Sequence, residues 1–290
     1  MEQTWKCSGN DLRKMPLQIW EEDLSILSNA EAMKRVLLAW KQIENRKEIV
    51  VPLVQNIEGA VLGAGIIKRK NFWTTGEYPF SSLEEIKPKQ LTLMKNPHIK
   101  AVIEVIKQLK NETVILEAEA PFSIVSALIN PMELYASMQT KTEHLNRILE
   151  KIAFEEAKYL EAAINAGCHI ISLAEPVGTA DMVGEKYFRE CSGRAAVLLL
   201  KESERFLQNS VVHLCGKLSN SMLALQMAKE EEYLVTGEEY LESLTEAAHN
   251  PSIHFVGQHC IHQKKNSTKK NSYSYNLINL TGEQHLSGDE

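Results

Sequence analysis

Apolar positions recur at two different spacings along this chain, and the two alternate from segment to segment. Between Asn29 and Glu48, the residues Ala32, Met33, Val36, Leu37 and Trp40 recur at helical spacing. The short apolar run Ile49 to Val54 follows and reads as a buried strand leading into Gln55-Asn56-Ile57-Glu58-Gly59. Asn71 to Glu84 reads as a loop, punctuated by Gly76 and Pro79, and Ile99 to Leu109 as a helix. Thr113 to Glu117 is a strand that ends at Ala120-Pro121. Pro131 to Asn165 reads as long helical patterning, with Leu145, Ile148, Leu149 and Ile152 on one face and Gly167 as its C-terminal cap. Cys168 to Leu173 is a strand ending at Glu175-Pro176, and Glu185 to Phe206 is mostly helical. Ser210 to Leu214 is a strand running into Cys215-Gly216, with helices over Ser219 to Lys229 and Gly237 to His249. Ile253 to Val256 and Tyr273 to Leu280 complete the strands, and Thr281 to Glu290 is a polar tail expected to be disordered.

Strands that are apolar almost throughout, alternating with helices, predict a parallel sheet covered by helices. No glycine-rich phosphate loop follows any strand, which removes the main support for a doubly wound nucleotide-binding fold. Polar residues stand instead just after strand ends, at Glu58, Glu119, Glu175, Cys215 and Cys260. That is where a β/α barrel keeps its active site. The expectation is an α/β chain whose residues 1–290 form a single TIM-type β/α barrel, with 281–290 as its tail.

Composition narrows the function. A net charge of -6 argues against nucleic acid as the main partner. The lysines 264, 265, 269 and 270 lie in a polar run that reads as a solvated loop. No stretch approaches the roughly 20 apolar residues of a membrane helix, and the polar Met1 to Lys14 does not read as a secretory signal. The five cysteines, Cys7, Cys168, Cys191, Cys215 and Cys260, are odd in number and widely scattered. Reduced thiols in the cytoplasm, with no membrane partner, are the expected setting.

The sharpest motif is His213-Leu214-Cys215-Gly216. Side chains at i and i+2 on a strand share a face, so His213 and Cys215 converge at a strand end. An imidazole and a thiolate on one face are half of a zinc site. Cys260 follows the next strand in Gly257-Gln258-His259-Cys260-Ile261-His262 and is the candidate third ligand, with His259 and His262 as alternatives. Three protein ligands leave the fourth position of a catalytic zinc open, and two thiolates suit a substrate taken as thiolate. Cys7, Cys168 and Cys191 read as bystanders.

The strand-end carboxylates are the other candidates. Glu175 either takes a proton or hydrogen-bonds substrate, or else caps the turn before Asp181. Glu119 and Asn56 are candidate substrate-binding residues, with Glu58, Glu117 and Gln55 beside them.

These motifs resemble a known family. His213-Leu214-Cys215-Gly216, Glu119-Ala120-Pro121-Phe122-Ser123 and the run from Ala166 to Pro176 resemble the uroporphyrinogen decarboxylase superfamily. They are most similar to its corrinoid-dependent branch, the methylcobamide:coenzyme M methyltransferases and their relatives. The resemblance covers Ile49 to Leu280. It implies a β/α barrel with zinc on His213, Cys215 and Cys260, and methyl transfer between a corrinoid on a partner protein and a small thiol. Methylcobalamin or another corrinoid would be co-substrate, and a homodimer is a possible assembly. The shorter interval between Cys215 and Cys260 implies a trimmed barrel. A decarboxylase, or a non-catalytic metal- or corrinoid-binding accessory protein, is the alternative. The arginine-rich motif with which the decarboxylases hold substrate carboxylates does not occur here.

Overall fold

A computed structural model of the chain describes residues 24–69, 72–234, 239–261 and 271–277. Cys7, His262, the lysines of 264–270 and the tail 281–290 lie outside the described residues.

The first α-helix among the described residues is α1 (Ala30–Ile43), capped by Asn29, whose side chain accepts from the Ala32 N–H; Met33, Val36, Leu37 and Trp40 form its buried stripe. Then come β1 (Glu48–Val51), α2 (Ile57–Val61), β2 (Gly65–Arg69) and β3 (Phe72–Glu77). Next are α3 (Pro97–Gln108), β4 (Thr113–Glu119), α4 (Pro121–Leu128), α5 (Pro131–Thr140) and α6 (Thr142–Asn165). β5 (Ile170–Ala174), α7 (Gly193–Glu204), β6 (Val211–Leu214) and α8 (Gly216–Ala224) follow. β7 (Ala228–Leu234), α9 (Tyr240–Ala248), β8 (Phe255–Val256) and β9 (Asn271–Leu277) end the series. Helices α3, α4 and α5 each begin with proline, which lacks the N–H that would be orphaned there. Gly167 closes α6 as expected: its φ is +110°, a region in which a side chain would be strained, and its N–H bonds back to the Ile164 carbonyl.

The main sheet has the order β1-β4-β5-β6-β8-β9-β7. Strands β1, β4, β5, β6 and β8 are mutually parallel, while β9 runs antiparallel to both β8 and β7. The parallel α/β expectation holds, but the described residues do not close a barrel: β1 and β7 end the ladder. Packing supplies the reason. Ile49, Val51, Val114, Leu116, Ile171, Leu173, Val212 and Leu214 point to one face, under the large core built with α1, α3, α4, α6 and α7. Val50, Ile115, Ile170 and Val211 point to the other, where Tyr240, Leu244, Ala247 and Ala248 of α9 cover them. A barrel would fill that second face with side chains from its remaining strands; here a helix lies on it. Both faces are shielded from water, which explains strands without polar alternation. Cutting Leu173 or Val212 back to alanine would cost about 2–5 kcal/mol.

Three local expectations are corrected. The 71–84 stretch, expected as a loop, contributes β3, which pairs with β2 in a separate antiparallel hairpin. The helix expected over Ser219 to Lys229 ends at Ala224, and Ala228–Leu234 is β7. Its Lys-Glu-Glu-Glu core has no strand signature, and the ladder with β9 overrides that propensity. The long helix over 131–165 is two helices, broken at Lys141, whose φ of -138° and ψ of 34° are not helical.

Candidate functional site

The carboxyl ends of the parallel strands bring the candidate residues to one side of the sheet. The registers Glu117↔Ser172, Ser172↔His213 and His213↔Val256 set these residues abreast on neighbouring strands. They share the face that α9 covers, so Glu117, Ser172 and His213 make a polar row at the edge of an apolar layer. β8 lies directly beside β6, as the placement of Cys260 after the next parallel strand required.

His213 is fully buried. Its Nε2 lies 3.0 Å from the His259 carbonyl, and its Nδ1 lies 3.3 Å from the Ser172 hydroxyl. A carbonyl only accepts, so Nε2 carries the proton and Nδ1 accepts from Ser172. The Tyr240 ring stands edge-on to both His213 and His259, with centroids 5.7 and 5.1 Å away, and its hydroxyl donates to the Gly257 carbonyl at 3.2 Å. Burial holds His259 below the usual histidine range, so it stays neutral.

The segment after β8 folds back over the start of α8. The Gln258 N–H donates to the Ser219 hydroxyl at 3.0 Å. The approach is close enough that a Cβ on Gly216 would lie 3.1 Å from the Gln258 carbonyl oxygen, which accounts for glycine after Cys215. Cys215 and Cys260 are both half-buried, and the Cys215 Sγ accepts the Glu175 N–H at 3.4 Å. Cys168 and Cys191 are core residues, with thiols pushed up by burial to about 12 and about 11, so neither supplies a thiolate.

His213, Cys215 and Cys260 are the right donor types for zinc, and they lie at one corner of the sheet. Among the described residues, however, no group of three His, Cys, Asp or Glu side chains is arranged to hold a metal ion. Zinc binding here therefore requires the His213 Nε2 to exchange the His259 carbonyl for the metal.

Glu175 is fully buried just past β5. Its carboxylate takes the Ser123 hydroxyl, the Ser123 N–H at 3.3 Å and the Gly178 N–H at 2.9 Å. Burial pushes its carboxyl up to about 7 against these hydrogen bonds, which lower it. The turn-capping role weighed for Glu175 is thus present. Asn56, with left-handed backbone at φ 55°, caps α2 through the Gly59 N–H and donates to the Ser123 carbonyl at 3.1 Å. Contacts run from Asn56 through Ser123 and Glu175 to Cys215, across the ends of β1, β4, β5 and β6. Glu119 is 5% exposed at the end of β4.

Sequence reasoning missed Ser123, Ser172 and Tyr240. Ser172 was within reach, since it occupies the His213 row one strand over. The other two acquire their places only through packing.

Residues 63–261, more than half of the chain, match the family model described as uroporphyrinogen decarboxylase (URO-D). Two methylcobamide:CoM methyltransferases MtaA of Methanosarcina barkeri, one of them from strain Fusaro, are each 25% identical over 201 residues. Those alignments cover 66% of this chain and 58% of each relative, so the chain spans less than two thirds of these relatives' length. A solved methyltransferase structure from Methanosarcina mazei superposes with a TM-score of 0.57 at 20% identity, covering 75% of this chain and 64% of that one. That likeness shows a shared fold. The chain belongs to the uroporphyrinogen decarboxylase family, with its similarity on the side of the methylcobamide:CoM methyltransferases.

Proposed function

We propose that this chain is a corrinoid-dependent methyltransferase. In this reading it moves a methyl group between a corrinoid, carried by a partner protein, and a small thiol. The five parallel strands are then the site-bearing part of the sheet. Family membership and the names of the M. barkeri relatives support the reaction class. The observation that carries the reading is the meeting of the Gly257–Cys260 segment with His213 and Cys215, seen in the 3.0 Å approach of the His213 Nε2 to the His259 carbonyl.

His213, Cys215 and Cys260 would hold zinc. When bound in such a donor set, zinc acidifies a thiol and so supplies the nucleophile. The chain's own groups do the positioning. Ser172 orients the His213 ring, since with Nε2 on the metal the Nδ1–H would donate to the Ser172 hydroxyl, and the Glu175 N–H steadies the Cys215 sulfur. Tyr240 closes the apolar side of the corner and keeps water from His213. Glu175 acts as a positioning residue, because Ser123 and Gly178 already occupy its carboxylate. Asn56 and Glu119 are assigned to the mouth where substrate approaches.

The test is turnover of the zinc-loaded chain with methylcobalamin and a panel of small thiols. Thiol methylation that disappears in Cys215→Ala supports the reading. Loss of carboxyl groups from a porphyrinogen, with methylcobalamin untouched, would replace it with a decarboxylase. Corrinoid binding without either reaction would replace it with an accessory protein.

A further inference from the structure

One hydroxyl joins the two segments that carry the candidate thiolate ligands. Ser219, in α8, is fully buried. Its Oγ donates toward the carbonyls of Cys215 at 3.2 Å and Gly216 at 3.3 Å, and it accepts the Gln258 N–H at 3.0 Å. A hydroxyl has one proton to give and lone pairs with which to receive, so Ser219 holds both segments at once. The carbonyl it holds is that of Cys215 itself, and Cys260 stands two residues beyond the N–H that it accepts. A serine inside a helix ordinarily closes on the carbonyl one turn back and goes no further. Ser203 of α7 does so, with the Leu199 carbonyl at 2.8 Å. Ser219 makes the same local bond and adds the long-range one.

The turn held in this way has a backbone that glutamine rarely adopts. Gln258 lies at φ 71°, in the left-handed region. Such a conformation persists where its surroundings over-determine it. Here Ser219 fixes the Gln258 N–H, and the Gln258 side-chain amide donates to the carboxylate of Glu230 on β7. The next carbonyl, that of His259, meets the His213 Nε2 at 3.0 Å. Residues 258 to 260 therefore pass over the corner in a fixed order, each placed by the one before.

We infer that Ser219 is a positioning residue that sets Cys260 in register with Cys215, so that the two sulfurs share one metal ion without first having to find each other. The inference rests on the zinc assignment proposed above and adds the group that preorganises it. Two ligands on unconnected segments both lose freedom when metal binds, whereas a turn already fixed has less to lose.

The test compares the full chain with Ser219→Ala and with Ser203→Ala, a matched loss of one buried helix hydroxyl away from the corner. Metal-free protein is treated with dibromobimane, which fluoresces only after bridging two thiols, and the bridged peptides are mapped. The native chain and Ser203→Ala are expected to bridge Cys215 to Cys260, and Ser219→Ala to do so several-fold more slowly. Cobalt(II) then reports the loaded site, with weaker thiolate-to-cobalt absorption in Ser219→Ala than in the native chain. Zinc affinity, measured against a chelator, should fall by about 10-fold or more in Ser219→Ala, the usual scale for groups that orient metal ligands. Ser219→Thr keeps the hydroxyl and should restore all three signals. If Ser219→Ala does not fold, deuterium exchange at the Gln258 amide of the native chain decides. Protection supports the clamp, and exchange at the rate of an unstructured peptide overturns it. Equal bridging and equal metal affinity in native and Ser219→Ala protein would overturn the inference while leaving the zinc assignment in place. A native chain that takes up neither zinc nor cobalt removes the zinc assignment, yet slower bridging in Ser219→Ala would still support the register. A native chain that neither bridges the two thiols nor binds metal overturns both.

Discussion

Ser123 gives both its backbone N–H and its hydroxyl to the carboxylate of Glu175, 52 residues further along the chain. The contact ties the first turn of α4 to the loop after β5. The carboxylate sits where the exposed N–H groups of a helix start favour negative charge. The Glu175 N–H in turn donates to the Cys215 Sγ, so displacement of this carboxylate shifts the backbone that supports a candidate metal ligand.

The pair can be broken without changing its shape. Glu175→Gln puts an amide where three donors converge, and at least one donor loses its acceptor. The expected loss is about 1–3 kcal/mol of stability, because hydrogen bonds to a buried charged group are among the stronger ones. Ser123→Ala should cost about 1 kcal/mol, since it keeps the backbone donor. Urea unfolding of both variants checks the order, and a Glu175→Gln chain as stable as the native one would contradict the structural role.

A second perturbation approaches from the other side. A Cβ on Gly178 would fall 2.8 Å from the Phe122 ring and 2.9 Å from the Glu175 carboxyl. Both neighbours are buried and neither can swing away into solvent. Gly178→Ala is therefore expected to lose about 1–3 kcal/mol through overpacking. It should also depress methyl transfer more than an equally destabilising change at the far end of the sheet. Paired measurements of stability and turnover separate the two effects.

Metal content tests the zinc corner. Protein purified without chelator should carry about one zinc per chain, as a three-ligand site with one open position requires. Cys215→Ala and Cys260→Ala should each lose it, whereas Cys168→Ala should keep it. Elemental analysis of the native chain and its variants decides the assignment. Full retention in Cys260→Ala with loss in His259→Ala would transfer the third ligand to the imidazole.

The acid side of the stability curve has an identifiable contributor in Glu155. Burial raises its carboxyl, but Lys151, Lys158 and the Leu93 N–H outweigh that and bring it below the usual glutamate range. A carboxyl depressed in the folded state adds stability that is present above its unfolded value near 4.5 and is lost as pH falls through its folded value. Glu155→Gln should thus be less stable than the native chain at pH 7, by about 1 kcal/mol since the lysines are partly exposed. The gap should close on acidification below pH 4. A constant gap across that range would assign the effect to packing rather than to charge.

Much of this protein can be read locally, and the reason is physical. A strand covered on both faces must be apolar throughout, which makes β1, β4, β5 and β6 recognisable as short runs of Val, Ile and Leu. A helix covered on one side must repeat its apolar positions every three to four residues, which reveals α1 and α6. His213 and Cys215 announce themselves because two residues of spacing and one following glycine put them at a strand end. These features depend on neighbours within a few positions, and so the sequence by itself determined them, together with the order of the elements and the kind of chemistry at the strand ends.

Other features depend on which distant segments meet. Lys229 to Glu232 favours helix in isolation and becomes strand because β9 supplies a ladder. Glu156 extends the Leu149 and Ile152 stripe of α6, so its burial follows from helical spacing, but that Glu58 and Glu119 act on it depends on distant segments meeting. The partner of Glu175 is a serine 52 positions away. Whether the sheet closes is a further case: an apolar strand face is satisfied equally by barrel-filling side chains or by a covering helix. Only the tertiary structure decided that α9 lies there, because burying apolar surface is non-directional and the identity of the covering element is set by register, loop length and fit.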